Sequence, residues 1–128
     1  MDFQELHKIA STALNPRKLS RKSAAGHVAA ALLTDKGHVY KGVCLDAVCG
    51  LGYCAEQAAI ANMITAGESK IVKLVVVDED GSIFSPCGRC RELISQINPE
   101  NIKCEIMLGK GFTTLEQLLP QRWDFMRD

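Results

Sequence analysis

The chain of 128 residues has no excess of charge of either sign, since Lys and Arg together number 15 and Asp and Glu together number 15. Proteins that bind a long polyphosphate backbone concentrate positive charge, so we expect no nucleic-acid partner. Long apolar runs are missing too: the longest, residues 28–33, is far shorter than a membrane span. The N-terminus carries Asp2 and Glu5 instead of the basic stretch of an export signal. We therefore expect a cytoplasmic protein with no membrane partner.

Repeats, low-complexity tracts and linker-like segments are absent as well, so the sequence shows no domain boundary. We expect one domain over residues 1–128, because 47% hydrophobic residues suffice for a core. The six cysteines fall below the roughly 8–10% of residues that marks a disulfide scaffold. Without an export signal we expect reduced thiols, which leaves metal binding, redox chemistry or packing as their use.

Hydrophobic periodicity and turn residues predict the secondary structure. The predicted helices cover about residues 2–14, 54–66, 89–97 and 114–119, and the predicted strands residues 28–34, 38–45, 71–77 and 103–108. The turn Asp35-Lys36-Gly37 is typical of a hairpin between the first two strands, and the basic segment before them is expected to be a loop. Two strands followed by alternating helices and strands favour a mixed sheet between helices.

Three cysteines and one glutamate form the strongest chemical pattern. Cys87 and Cys90 are three residues apart at the start of a predicted helix, so their sulfurs can converge on one ion. Cys54 begins another helix, with Glu56 two residues later. Residues two apart on a helix point about 200° from each other, so Cys54 and Glu56 share a site only beyond the helix end. The partial positive charge of helix N-termini lowers thiol pKa values and favours the thiolate that a metal needs.

Three thiolates around zinc leave a fourth tetrahedral position for water, as in a catalytic site. Glu56 is then the candidate base that moves the protons. Arg89 and Arg91 are candidates to offset the negative charge of the thiolates. Two alternatives stay open: a structural zinc site completed by another cysteine, and a thiol oxidoreductase built on the Cys-x-x-Cys pair. The cysteines available for a structural site are Cys44, Cys49 and Cys104.

Cys54-Ala55-Glu56 followed by Pro86-Cys87-Gly88-Arg89-Cys90 resembles the zinc signature of the cytidine deaminase superfamily in its all-cysteine form. The resemblance runs from about residue 24 to residue 123 and includes the Leu118-Leu119-Pro120 turn. The segment from Ser85 to Arg91 is most similar to blasticidin-S deaminase and the small tetrameric cytidine deaminases.

The resemblance implies a three-layer α/β/α sandwich with a mixed five-stranded sheet, one zinc ion per chain and a homotetramer. It implies hydrolytic release of ammonia from a cytosine-like aminopyrimidine nucleoside, such as cytidine, deoxycytidine or a compound like blasticidin S. Deamination of another aminated heterocycle, or a non-catalytic zinc-stabilised binding domain, are the alternatives.

The resemblance also implies substrate contacts. The backbone of Ala55 and Ser85 is expected to contact the pyrimidine ring and its amine, and Trp123 to cover the site of a neighbouring subunit. Cys44 and Asp46 stand where the family presents an Asn and a Glu to the ribose. A thiol is a weak hydrogen-bond partner, and Asp is shorter than Glu, so these positions depart from the family pattern.

Two further features belong to the candidate substrate site. Gly26 stands where an aromatic residue commonly packs on the substrate, and the adjacent His27 is a candidate contact. A basic cluster precedes it in the chain and consists of Arg17, Lys18, Arg21 and Lys22. This cluster either reaches an anionic group on a substrate or is a solvated loop.

Overall fold

The computed structural model describes residues 1–124, and its elements follow the hydrophobic pattern of the sequence. The helices are α1 (Phe3–Ala13), α2 (Ala55–Thr65), α3 (Gly88–Ile97) and α4 (Leu115–Leu118), with 3-10 turns at Val48–Gly50 and Pro99–Lys103. The strands are β1 (Arg17–Ser20), β2 (Ser23–Thr34), β3 (Val39–Ala47), β4 (Ile71–Asp78), β5 (Glu105–Met107) and β6 (Phe112–Thr114). Within these residues no helix has the length and apolar character needed to span a membrane.

The six strands of the described chain form one mixed sheet, in which β3, β2, β4, β5 and β6 lie side by side. β2 pairs antiparallel with β3 and β4, β5 runs parallel to β4, and β6 returns antiparallel to β5. β1 also pairs antiparallel with β2. Because β3 occupies the other edge of β2, β1 and β4 follow one another along the same edge.

Side chains of the central strands alternate between two cores, as the period of two in a strand requires. Ala29 and Ala31 of β2 pack with Leu6 and Ala10 of α1 on one face. The other core combines residues of β2 and β4 with residues of α2 and α3: Ala30, Leu32, Leu74, Val76, Ala59, Ile60, Met63 and Ile94. The predicted three-layer α/β/α sandwich with a mixed sheet is therefore confirmed.

The prediction of a loop before the first strand and the count of five strands are wrong. The basic segment forms β1, and β2 begins at Ser23 instead of residue 28. Every residue of β1 is exposed, so the segment has no alternating apolar pattern, and its extended conformation comes from pairing with β2, for example Lys18 opposite Ala24. β6 is only three residues long. The sheet therefore has six strands, but it is five strands wide, because β1 and β4 pair with successive parts of β2.

Helix α2 lies directly against β3 because Gly42 has no side chain. A Cβ at Gly42 would lie 2.5 Å from the Cβ of Ala58 and 2.5 Å from the backbone nitrogen of Ala59. Neither atom can move without moving the helix. This close approach fixes the position of α2, whose first residues carry part of the candidate site.

Glu68 anchors the chain after α2 to the β2–β3 hairpin. It is buried, and its Oε2 accepts a hydrogen bond from the hydroxyl of Tyr40 at 2.6 Å and lies 2.8 Å from Nδ1 of His38. The hydrogen bond from Tyr40 above all, with contributions from Thr34 and His38, lowers the pKa of Glu68 from its ordinary value of 4.5 to about 2. The folded protein therefore stabilises the charged carboxylate.

Glu68→Gln is expected to destabilise the protein at neutral pH and to have a shrinking effect in acid. Because the pKa is lower in the folded state, the contribution of the carboxylate is fully present above pH 4.5 and is lost as the pH falls to about 2. Urea denaturation of both proteins between pH 7 and pH 2 measures the difference in unfolding free energy. The exposed Glu116→Gln is the control, and a difference independent of pH would contradict the role of Glu68.

Candidate metal centre and active site

Two short segments carry the end of a strand to the start of a helix on the same side of the sheet. The backbone N–H of Tyr53 donates to the carbonyl of Leu45 in β3 at 2.9 Å, which places Cys54 as the N-cap residue of α2. The N–H of Phe84 donates to the carbonyl of Val76 in β4 at 2.9 Å, and the segment continues to Cys87, the N-cap of α3. Both helix N-termini therefore meet near the ends of β3 and β4.

The sulfurs of Cys54, Cys87 and Cys90 converge at this point. Sγ of Cys87 lies 3.7 Å from Sγ of Cys54 and 3.3 Å from Sγ of Cys90, and all three sulfurs lie within 4.8 Å of one another. Zinc–sulfur bonds of about 2.3 Å in a tetrahedron place two sulfurs about 3.8 Å apart. The three thiols therefore fit a zinc ion.

Burial changes the acidity of the three thiols in different ways. Burial opposes ionisation of Cys87, but hydrogen bonds from the backbone of Cys90 and from the neighbouring thiols outweigh it and lower the pKa of Cys87. Burial, followed by the hydrogen bond with Cys87, raises the pKa of Cys54. Burial, followed by the charge of Glu56, raises the pKa of Cys90. The expected lowering of thiol pKa values thus applies to Cys87 alone, and a divalent cation would supply the positive charge that stabilises the other thiolates.

Glu56 lies in the first turn of α2 and is only 4% exposed. A buried carboxylate normally needs a partner, because removing it from water is costly. Its side chain lines the cleft in front of the cysteine cluster, together with Cys54 and Cys87. A buried proton acceptor is therefore held beside a metal-binding cluster, in the wall of a cleft.

The cleft has a volume of about 600 Å³, which is large enough for a nucleoside. The structure brings most of the predicted site residues to its wall: His27, Cys44, Asp46, Cys54, Ala55, Glu56, Ser85, Cys87 and Arg89. His27 comes from β2, and Cys44 and Asp46 from β3, so this part of the wall is built by paired strands.

Cys90, Arg91 and Trp123 lie outside this wall. Cys90 is fully buried behind the cleft, as a metal ligand can be. Arg91 donates from Nε to the carbonyl of Pro86 at 2.8 Å and from Nη1 to the carbonyl of Leu118 at 3.0 Å. That Arg89 or Arg91 offsets the negative charge of the thiolates stays a prediction. The two hydrogen bonds of Arg91 instead connect α3 to the backbone carbonyls of Pro86 and Leu118.

Trp123 is 66% exposed, and its Nε1 donates to Oε2 of Glu92 at 3.1 Å. It borders a separate cavity with Ser95 and Pro99 instead of the cleft of its own chain. The predicted role of Trp123 concerns a neighbouring subunit, and that role stays a prediction.

Two aromatic residues of the cleft were not predicted from the sequence. Tyr53 and Phe84 line the cavity and are 46% and 44% exposed. Each lies next to a predicted site residue, Tyr53 before Cys54 and Phe84 before Ser85. This adjacency marks a position near the candidate site but does not encode the contact with the cleft.

The model of the family described as cytidine and deoxycytidylate deaminase zinc-binding region matches residues 3–106 of this chain. The chain belongs to this deaminase family. The match includes the candidate catalytic residue and all three candidate ligands, so the deaminase contains the zinc-binding region of the family.

Characterised relatives agree with this family. Blasticidin-S deaminase from Bacillus cereus is 35% identical over 107 residues, which cover 76% of each chain. A cytidine deaminase from Halalkalibacterium halodurans is 32% identical over 97 residues, covering 73% of this chain and 74% of the relative.

Solved structures share the fold of the deaminase. The crystal structure of cytidine deaminase from Mycobacterium leprae superposes with a TM-score of 0.81 at 31% identity, covering 94% of this chain and 99% of that chain. Cytidine deaminase from Mycobacterium tuberculosis gives a TM-score of 0.81 at 30% identity, with coverage of 96% and 98%. The layers and sheet described above are therefore those of cytidine deaminases.

The alternatives based on other cysteines lose support from the geometry. Cys104 is buried in the core with Ile106 and Leu115, and Cys49 is exposed. Cys44 forms a separate group with His27 and Asp46, whose ligand atoms lie within 4.8 Å of one another. Within residues 1–124, no fourth cysteine therefore joins the cluster to close a structural zinc site.

Proposed function

We propose that this deaminase removes the exocyclic amine of a cytosine nucleoside by hydrolysis, with one zinc ion per chain bound by Cys54, Cys87 and Cys90. One observation carries the proposal: the buried carboxylate of Glu56 lines the same cleft as the cysteine cluster. A purely structural metal site does not need a proton acceptor inside a substrate-sized cavity. The family match and the cytidine deaminase folds support the same reaction.

Zinc, when bound, supplies the Lewis acidity that makes water a nucleophile near neutral pH. Glu56 accepts the proton that the attacking water loses and donates it to the ring nitrogen next to the amine. Glu56 then takes the remaining proton of the hydroxyl now bonded to C4 and transfers it to the amine as the C4–N bond breaks, so one water is consumed and one ammonia is released. The former amine carbon becomes a carbonyl, which converts cytosine to uracil.

We propose that the ring lies in the cleft beside this carboxylate. Ala55 is buried at the start of α2, and Ser85 lies at the entrance to α3, so their backbones border the space in front of the cysteine cluster. We propose that they contact the ring and the amine. Tyr53 and Phe84 add aromatic surface, which is suited to stacking on a planar base.

The sugar end of the cleft has an unusual composition. His27, Cys44 and Asp46 line it, and Nδ1 of His27 lies 3.9 Å from Oδ2 of Asp46. We propose that His27 and Asp46 contact the sugar, because the thiol of Cys44 is a weak hydrogen-bond partner. Cytidine and blasticidin S are both candidate substrates, since the chain resembles deaminases named for each.

Ammonia release by the zinc-loaded protein tests the proposed function. The panel contains cytidine, deoxycytidine, cytosine, blasticidin S and aminopurines, with Glu56→Gln as the control. Release from cytosine compounds that is lost in the control supports the proposal. Release from aminopurines alone would assign the site to another heterocycle, and no release with one zinc per chain would indicate a binding domain.

We also propose that the deaminase is a homotetramer that works in the cytoplasm, where thiols stay reduced for zinc. Large apolar side chains near the cleft support assembly: Leu51 is 73% exposed, and Tyr53 and Phe84 are nearly half exposed. Exposed apolar patches of this kind mark interaction surfaces.

Mixing subunits is expected to reveal a shared site. Trp123→Ala chains keep Glu56, and Glu56→Gln chains keep Trp123, so a tetramer assembled from both contains sites with both residues intact. We expect refolded mixtures to exceed the summed activities of the two separate variants. A native mass equal to one chain, or mixtures that only match the sum, would rule out the proposed role of Trp123.

A further inference from the structure

A second cavity, of about 510 Å³, lies beside the β1–β2 hairpin. Its wall contains the whole basic cluster of Arg17, Lys18, Arg21 and Lys22, together with the hydroxyl-bearing Ser20 and Ser23. The protein as a whole has zero formal net charge. Positive charge is therefore concentrated in this cavity, which we call the basic pocket.

The cations of the basic pocket have no acidic partners within residues 1–124, where no carboxylate lies within ion-pair distance of them. Arg17 donates from Nη1 to the carbonyl of Asn15, a neutral group. Elsewhere on the surface an exposed lysine does form an ion pair: Nζ of Lys103 lies 3.1 Å from Oε2 of Glu100. The hairpin instead leaves its four cations available to an anion.

The basic pocket continues into the candidate active-site cleft. His27, Asp46 and Ala47 line both cavities, so they form the boundary between them. Nδ1 of His27 is buried and has no hydrogen-bond partner among the described residues. It faces Oδ2 of Asp46 at 3.9 Å, so a polar pair of side chains separates the two cavities.

We propose that the basic pocket binds the phosphate of a cytosine mononucleotide whose base occupies the cleft. This inference rests on the proposed function, which places the cytosine base in the cleft, and adds a phosphate group on the sugar. The chemistry favours a phosphate because its charge of up to about −2 matches several cations and because guanidinium groups bind it in a bidentate manner. The base would reach Glu56, the sugar would pass His27 and Asp46, and the phosphate would enter the hairpin.

Binding to zinc-loaded Glu56→Gln protein tests the subsite without turnover. Calorimetry compares CMP with cytidine, and we expect CMP to bind roughly tenfold more tightly at low salt, with a preference that falls as salt screens the charges. A triple variant is expected to lose the preference for CMP over cytidine and to bind cytidine as the parent protein does. It combines Lys18→Gln, Arg21→Gln and Lys22→Gln. Their side chains are exposed, so folding, checked by thermal denaturation, is retained.

Lys36→Gln is the matched control, because this exposed lysine lies in the turn at the opposite end of β2. It is expected to keep the preference for CMP. Equal binding of CMP and cytidine, or a preference that survives in the triple variant, would overturn the subsite. Cytidine 5′-carboxylate tests whether the basic pocket prefers phosphate to carboxylate. If this compound bound as tightly as CMP, the assignment to phosphate would be overturned.

Ammonia release by the wild-type protein keeps the two proposals separate. We expect a higher kcat/KM for CMP or dCMP than for the matching nucleoside, mainly through a lower KM. Release from nucleosides alone leaves the proposed function standing and overturns the subsite. No release from any cytosine compound contradicts the proposed function, and the calorimetric comparison still decides whether the basic pocket binds phosphate.

Discussion

Glu56→Gln is expected to keep the fold and the zinc but to release ammonia about 10²–10⁴-fold more slowly than the wild-type protein. Glutamine has nearly the same size and keeps a hydrogen-bonding group in the buried position, but its amide cannot accept and return a proton. Steady-state kcat with the preferred substrate, together with zinc content and thermal denaturation, measures the effect.

Glu5→Gln is the matched control for this prediction. Glu5 also lies in the first turn of a helix, but α1 packs on the opposite face of the sheet from the cleft. Its activity is expected to equal that of the wild type. If Glu56→Gln were as active as the wild type, the proton transfer assigned to Glu56 would be wrong.

Cys87→Ser is expected to lower zinc content to less than about a tenth of the wild-type value and to abolish detectable turnover. The pKa of Cys87 is lowered, so this thiol ionises most readily of the three and presents a thiolate to the metal. A serine hydroxyl does not ionise near neutral pH and is a poor zinc ligand. Metal analysis and ammonia release on purified protein measure both effects.

Cys49→Ser provides the control, because Cys49 is exposed and lies outside the cysteine cluster. It should bind as much zinc as the wild type. Zinc should also raise the melting temperature of the wild type and leave that of Cys87→Ser unchanged, since a ligand stabilises only the state that binds it. Full zinc content in Cys87→Ser would show that the cluster is not the metal site.

The central layers could be predicted from the sequence because burial leaves a periodic trace. The valine-rich run of β4 has Leu74 and Val76 in one core and Val75 and Val77 in the other, so both faces are apolar, as expected for a strand covered by helices. β1 leaves no such trace, since all its side chains are exposed and pairing with β2 determines its conformation.

The candidate site could be predicted where chemistry depends on local spacing. Cys87 and Cys90 lie within one helical turn, and Glu56 is two residues from Cys54. Tyr53 and Phe84 reach the cleft through tertiary contacts: Tyr53 pairs with Leu45, and the backbone of Phe84 bonds to β4. No local pattern encodes those contacts, and the same holds for the cavity that joins the basic hairpin to His27.

The most direct test of the central claim is the reaction of zinc-loaded wild-type protein with cytidine and CMP in water enriched in oxygen-18. Mass spectrometry of the product and an ammonia assay measure the outcome. Hydrolytic deamination at the site of Glu56 and the three cysteines predicts one heavy oxygen in each uracil product and one ammonia per product. Product without the heavy oxygen, or no ammonia from protein with one zinc per chain, would contradict it.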